Sequence, residues 1–207
     1  MPPEPVAGNP SRNLRSANCA MSTNGERMAE RDETGNGKPT LGFLTAVEHP
    51  EHGLFGGYLV VTMVGRPIEF HCTLPIKPNR AQEILYGPTL DEFLHGEQIG
   101  QALLRESRRQ PLVVLTNRRA MLAAREFTDA PLALVLDPLG APAAPPNDPP
   151  GVVGFELGGR RLGVAAPHAA DRALVVERLA GLGDGFDLAE PFERIAAAIE
   201  EAQKAAC

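Results

Sequence analysis

Tryptophan is absent from the chain, tyrosine occurs twice, and aromatic residues together make up only 5% of it. A core built from this composition rests on Leu, Val, Ile, Ala and the eight Phe. The aromatic platforms on which single-stranded nucleic acid stacks are missing. Basic excess is missing too, since 20 Lys and Arg stand against 26 Asp and Glu for a formal charge of −6. Without a positive field, binding to a phosphate backbone loses its main source of affinity, so nucleic acid is not an expected partner.

Cysteine is equally scarce. Cys19, Cys72 and Cys207 form no disulfide framework, which points to a reducing compartment and a cytoplasmic location. No apolar run approaches the roughly 18 residues that suggest a membrane-spanning helix, so no membrane association is expected. The N-terminus lacks the apolar core of a signal peptide. The glycines of GLFGG and GLGDG do not have the spacing of a phosphate-binding loop. The HExxH zinc helix and the strained nucleophile elbow are also absent.

What is present divides the chain into four parts. Residues 1–39 are rich in Pro, Asn, Ser, Gly and charge, and bury too little apolar area to offset their ordering entropy, so a disordered tail is expected. Residues 40–137 carry the main α/β pattern. Residues 138–150 hold six prolines, a density that no helix or central strand tolerates, and read as a linker or exposed loop. Residues 151–207 read as a β-hairpin and two helices packed on the main region, because so few residues rarely support a separate core.

Within the main region, LGFLTAVE, YLVVTMV and IEFHCTL read as the strands of an antiparallel meander, with HPEHGLFGG and GRP as its turns. NRAQEILY follows as a short helix capped by Asn79. Thr89 and Glu92 have capping-box spacing, which predicts a longer helix from there toward Arg109, bent near Gly96 or Gly100. PLVVLT, NRRAMLAAREF and PLALVL then give strand, helix and strand, the βαβ rhythm of a parallel pair. Beyond the prolines, GVVGFEL and RRLGVAA flank a Gly-Gly hairpin turn. Leu188, Phe192, Ile195 and Ile199 make one apolar stripe on the last helix, which Asp187 and Glu190 would open as a second capping box. The predicted class is α/β with a mixed sheet; the same elements are compatible with α+β.

Four groupings carry candidate chemistry. His49 and His52, with His71 or Cys72 from a neighbouring strand, are the only set resembling metal ligands, and zinc accepts such nitrogen and sulfur donors. Against it, His71 and Cys72 alternate across a strand and face opposite ways. A small hydrolase or transferase would use His71 as base, with Cys72 as nucleophile or with Glu69 or Glu83 as a nearby acid; the same alternation opposes the pairing with Cys72. Lys77, Arg80 and Tyr86 lie in a proline-constrained connection, where a rigid backbone can present cations to a carboxylate or phosphate. Asn117, Arg118 and Arg119 follow the PLVVLT strand at its carboxyl end, and two arginines in a helix's first turn are unfavourable without an anionic partner.

Each grouping also has an ordinary structural explanation: solvated cations, ion pairs and polar faces. The function these features favour is a non-catalytic binding or assembly module. Its expected partner is a protein, a second copy of the chain or a small anionic ligand held by Lys77, Arg80, Tyr86, Asn117, Arg118 and Arg119. The hydrolase or transferase is the alternative, and no cofactor is predicted beyond the zinc considered above.

Overall fold

The computed structural model describes residues 38–136, 148–183 and 185–206. The expected N-terminal tail, apart from residues 38 and 39, and most of the proline-rich segment lie outside these residues, as do Cys19 and Cys207.

The three β-rich runs of the first half form an antiparallel meander of β1 (Thr40–His49), β2 (Gly53–Thr62) and β3 (Pro67–Cys72). β4 (Val113–Thr116) adds to β1 in parallel, and β5 (Leu132–Val135) adds to β4 in parallel. The C-terminal hairpin of β6 (Val152–Leu157) and β7 (Arg160–Ala165) joins through β7, antiparallel to β5. The result is one seven-stranded mixed sheet in the order β3-β2-β1-β4-β5-β7-β6. The hairpin turn is Gly158-Gly159, with φ of 56° and 72°, a pair of left-handed values that a type I′ turn needs and that glycine adopts without strain.

Helical segments cover both faces. On one lie α4 (Asp171–Leu179) and α5 (Glu190–Ala206), whose Val175, Leu179, Phe192, Ile195 and Ile199 pack on Phe43, Leu59, Val113 and Leu115. On the other lie a π-helical stretch (Phe93–Gly100), α3 (Gln101–Glu106) and a 3-10 segment (Arg119–Phe127), burying Ile99, Leu103, Met121 and Ala124 against Leu44, Tyr58, Val114 and Leu134. Arg125 of the 3-10 segment grips Asp171 of α4 in a bidentate pair, with Nε to Oδ2 at 2.5 Å and Nη2 to Oδ1 at 3.2 Å, so one ion pair ties the two covering layers together.

Several local expectations are corrected. GLFGG is not a turn: β2 begins at Gly53, and only residues 50–52 reverse the chain. Its glycines serve packing instead, because a Cβ on Gly56 would collide with Ile99 and one on Gly57 with Ile195. Those two isoleucines come from opposite layers. Asn79 does form a full capping box with Gln82 at the start of α1 (Arg80–Tyr86). Thr89 and Glu92 do not form one. A 3-10 turn (Gly87–Thr89) runs straight into α2 (Leu90–Glu92), and Thr89 Oγ1 donates back to the Tyr86 carbonyl at 2.9 Å.

The long helix expected beyond it is interrupted by the π-helical stretch. Gly96 and Gly100 there let Ala123 and Ala124 of the 3-10 segment approach closely. The crossover between β4 and β5 is 3-10 rather than α-helical. Asp187 accepts from the Ala189 amide at 2.8 Å, so the spacing to Glu190 is not used as the expected box.

The apolar stripe of α5 is buried as its spacing predicts. Phe192 meets Phe43 edge-on, with ring centroids 5.4 Å apart, and Ile195 is fully buried over Gly57. Phe192→Ala is expected to cost about 3–5 kcal/mol and Ile195→Ala about 2–5 kcal/mol in urea unfolding. Wild-type midpoints in both variants would show that α5 does not anchor the sheet.

Candidate ligand-binding cleft

Because β1 and β4 run parallel, their carboxyl ends emerge at the same end of the sheet. The chain after β3 is drawn to that end by an antiparallel bridge in which the Leu54 and Ile76 amides each donate to the other's carbonyl at 2.8 Å. The bridge fixes Lys77 beside the last residues of β1. Leu90, Asp91, Leu94 and His95, from α2 and the π-helical stretch, supply the facing wall. Between them lies a cavity of about 480 Å³.

Two cations reach this cavity from distant parts of the sequence. Arg118 lies across the end of β1, its Nε donating to the Ala46 carbonyl at 3.2 Å. Its terminal nitrogens have no partner among the described residues. Lys77 is the second cation, and it is exposed. His49 and His95 add imidazoles. The Nδ1 of His95 lies 2.8 Å from the Asp91 carbonyl. A carbonyl only accepts, so that nitrogen bears the proton and Nε2 is the acceptor of the neutral ring.

Glu48, Asp91 and Glu83 contribute carboxylates, of which Glu83 is held by Arg80 at 2.8 Å. The lining is therefore mixed in sign. A polyanion would meet these acids as well as the cations, whereas one negative group can settle on Lys77 and Arg118 alone.

The remaining candidates are engaged elsewhere. Arg80 is 82% exposed at its side chain and turns to Glu83. Tyr86 stacks on Phe93, with ring centroids 3.9 Å apart, and holds α1 against the π-helical stretch. Asn117 Oδ1 accepts from Thr45 Oγ1 at 2.6 Å, lacing the end of β4 to β1. Arg119 pairs with Glu92 at 3.4 Å. Of the six predicted binding residues, then, Lys77 and Arg118 share the cavity. His95 and Asp91 went unnoticed in the sequence, although their spacing of four on a helical stretch was a usable signal.

The histidine and cysteine candidates do not converge. The rings of His49 and His52 stack 4.6 Å apart at the β1–β2 turn. His71 pairs with Tyr58, five residues into β2 from Gly53, roughly 17 Å away at the rise of an extended strand. Cys72 packs on the α4–α5 side of the sheet, while His71 shares the Tyr58 side. Among the described residues no three His, Cys, Asp or Glu side chains group as metal ligands.

His71 belongs instead to a polar hub around Glu69. Glu69 Oε1 lies 2.8 Å from His71 Nε2 and accepts from the Arg108 amide at 2.9 Å, and Oε2 accepts from Ser107 Oγ at 3.2 Å. The serine and the histidine both bind the carboxylate rather than each other, which is the wrong order for activating a hydroxyl nucleophile. Burial pushes the Glu69 carboxyl up, but the Arg108 amide, His71 and Ser107 together outweigh it and hold the group below the usual glutamate range.

A carboxyl depressed by folding contributes stability above its unfolded pKa, and that contribution disappears as pH falls through the lower folded value. Glu69→Gln is thus expected to cost about 1–3 kcal/mol at pH 7, and clearly less near pH 3, where the wild-type carboxyl is also becoming protonated. Urea titrations at both pH values measure the difference; an equal cost at each would mean that the charge is not what the hub stabilises.

Among the described residues no helix is long and apolar enough to cross a membrane. The chain matches no family model and no curated protein.

Proposed function

We propose that the protein is a binding module for a small, singly charged anion, held by Lys77 and Arg118 at the carboxyl ends of β1 and β4. The observation that carries this reading is the meeting of those two cations in one cavity. Arg118 is oriented by the Ala46 carbonyl and keeps its terminal nitrogens for a ligand. Carboxyl ends of parallel strands are where open α/β sheets commonly place ligands. The lining offers imidazoles and carboxylates but no hydroxyl or thiol side chain, which argues against a serine, threonine or cysteine nucleophile there.

Titrating the labelled protein with acetate, and separately with inorganic phosphate, tests the reading. Acetate is expected to shift amides at residues 46–49, 76–77 and 117–118. Lys77→Ala and Arg118→Ala should each weaken binding by about tenfold, the loss of one charge-assisted hydrogen bond. Arg80→Ala should leave it unchanged. Undiminished affinity in both cation variants, each shown to be folded, removes the cleft as the site.

A second reading, assembly with a protein partner or another copy, is favoured by α1 itself. None of its residues is buried, and Ile84 and Leu85 are 67% and 81% exposed. Apolar side chains grouped on a surface helix are characteristic of interfaces. If α1 is a self-association face, Ile84→Glu with Leu85→Glu lowers the mass seen by sedimentation equilibrium. A wild-type protein that is monomeric throughout a micromolar range excludes self-association there.

A further inference from the structure

Tyr58 is fully buried, yet its hydroxyl has no hydrogen-bond partner among the described residues. The side chain leaves β2 on the face covered by α3 and lies across β1 at Gly42. A Cβ on that glycine would stand 2.6 Å from the hydroxyl oxygen, so the lack of a side chain there is what lets the ring extend past β1. Tyr58 thereby reaches a cavity of about 340 Å³ that the cleft does not touch. Leu104 and Ser107 from the end of α3, Arg109 and Gln110 before β4, Thr128 and Asp129 before β5, and Arg178 from α4 form its walls. It sits at the amino ends of β4 and β5, the opposite end of the parallel strands from Lys77 and Arg118.

Ser107 is the neighbouring hydroxyl, but it lies outside bonding geometry with Tyr58. Its own proton is directed to Glu69 Oε2 at 3.2 Å or to the Arg109 carbonyl at 3.0 Å, and it accepts from the Arg109 amide. Burial, and then the nearby negative charge of Glu69, push the phenol well above its ordinary pKa, so the oxygen keeps its proton and acts as a donor. Phenylalanine would fill the same space without burying an unpaired polar atom, which is costly. Farther out, Arg109 is exposed, and Arg178 is held by Nη1 donating to the Leu112 carbonyl at 2.8 Å. The cavity thus presents a neutral donor at its inner wall and guanidinium groups nearer solvent. Asp129, also exposed, opposes multiply charged anions.

We infer that this cavity is a second binding site, for a small monocarboxylate whose oxygen accepts from Tyr58 and whose charge is met by Arg109. The inference stands apart from the cleft, since the two share no lining residue.

Benzoate is the probe, with benzyl alcohol as an uncharged control of similar shape, in nitrogen-15 titrations of the wild type, Tyr58→Phe, Arg109→Ala and the Lys77→Ala/Arg118→Ala double variant. Benzoate is expected to shift amides at residues 107–110 and 128–130. Its affinity should drop about tenfold or more in Tyr58→Phe and in Arg109→Ala and stay unchanged in the double variant, with benzyl alcohol much weaker. Tyr58→Phe is conservative in shape and should melt at or above the wild-type temperature, because it removes an unpaired buried hydroxyl. No shift at these amides, equal binding by Tyr58→Phe, or equal binding of benzyl alcohol overturns the inference. A marked drop in the melting temperature of Tyr58→Phe does so too, by showing that the hydroxyl already has a water partner. Shifts confined to residues 46–49 and 76–77 would leave the cleft standing and exclude this site.

Discussion

The constraint on which the rest of the molecule depends is the burial of β1 on both faces. Every residue from 40 to 46 is buried, so apolar groups must cover the strand from above and from below. A meander alone cannot do that. The chain therefore leaves β3, lays the π-helical stretch and α3 on one face, returns as β4 alongside β1, and later lays α4 and α5 on the other face. The parallel pairing of β4 with β1 follows from this return path, and parallel pairing brings the carboxyl ends of the two strands together. The cleft is thus a by-product of how the central strand is covered, and its cations are carried there by the segments that do the covering.

Strand composition made most of this architecture legible. The β-branched runs, the Gly-Gly hairpin and the apolar stripe of α5 each have one economical physical reading, and each takes it. Glycine was the ambiguous letter. Gly56 and Gly57 read as a turn because the sequence shows a missing side chain but not the reason for it, and here the reason is the approach of Ile99 and Ile195. Helix type was hidden for a different reason: a stretch as short as Arg119–Phe127 holds too few turns for its apolar residues to tell a repeat of 3.0 from one of 3.6. The Thr89 box failed because its hydroxyl found the Tyr86 carbonyl, a partner that spacing to Glu92 does not reveal.

The candidate sites were legible as residues but not as pairs. Lys77 and Arg118 attract notice singly; that they meet depends on the bridge between Leu54 and Ile76, a long-range contact with no local signal. The same limit explains why Arg80, Tyr86, Asn117 and Arg119 looked available. Their partners, Glu83, Phe93, Thr45 and Glu92, neutralise or cover them, and only Glu83 lies within one helical turn. Tyr58 was hidden inside the strongest strand of the first half, where its ring suits the core and its hydroxyl goes unremarked.

The two adjacent glycines of β2 set how closely each covering layer approaches the sheet. Side chains alternate across a strand, so Gly56 and Gly57 open onto opposite layers, and each lets an isoleucine rest on the backbone itself. At this dipeptide both covering layers come down onto the backbone of the sheet, and the spacing on each side is fixed by a different residue. Enlarging position 56 would lift the π-helical layer and leave α5 seated; enlarging position 57 would do the reverse. Neighbours in the chain, they therefore act as independent shims for two interfaces, whose covering layers are also tied to each other by Arg125 and Asp171.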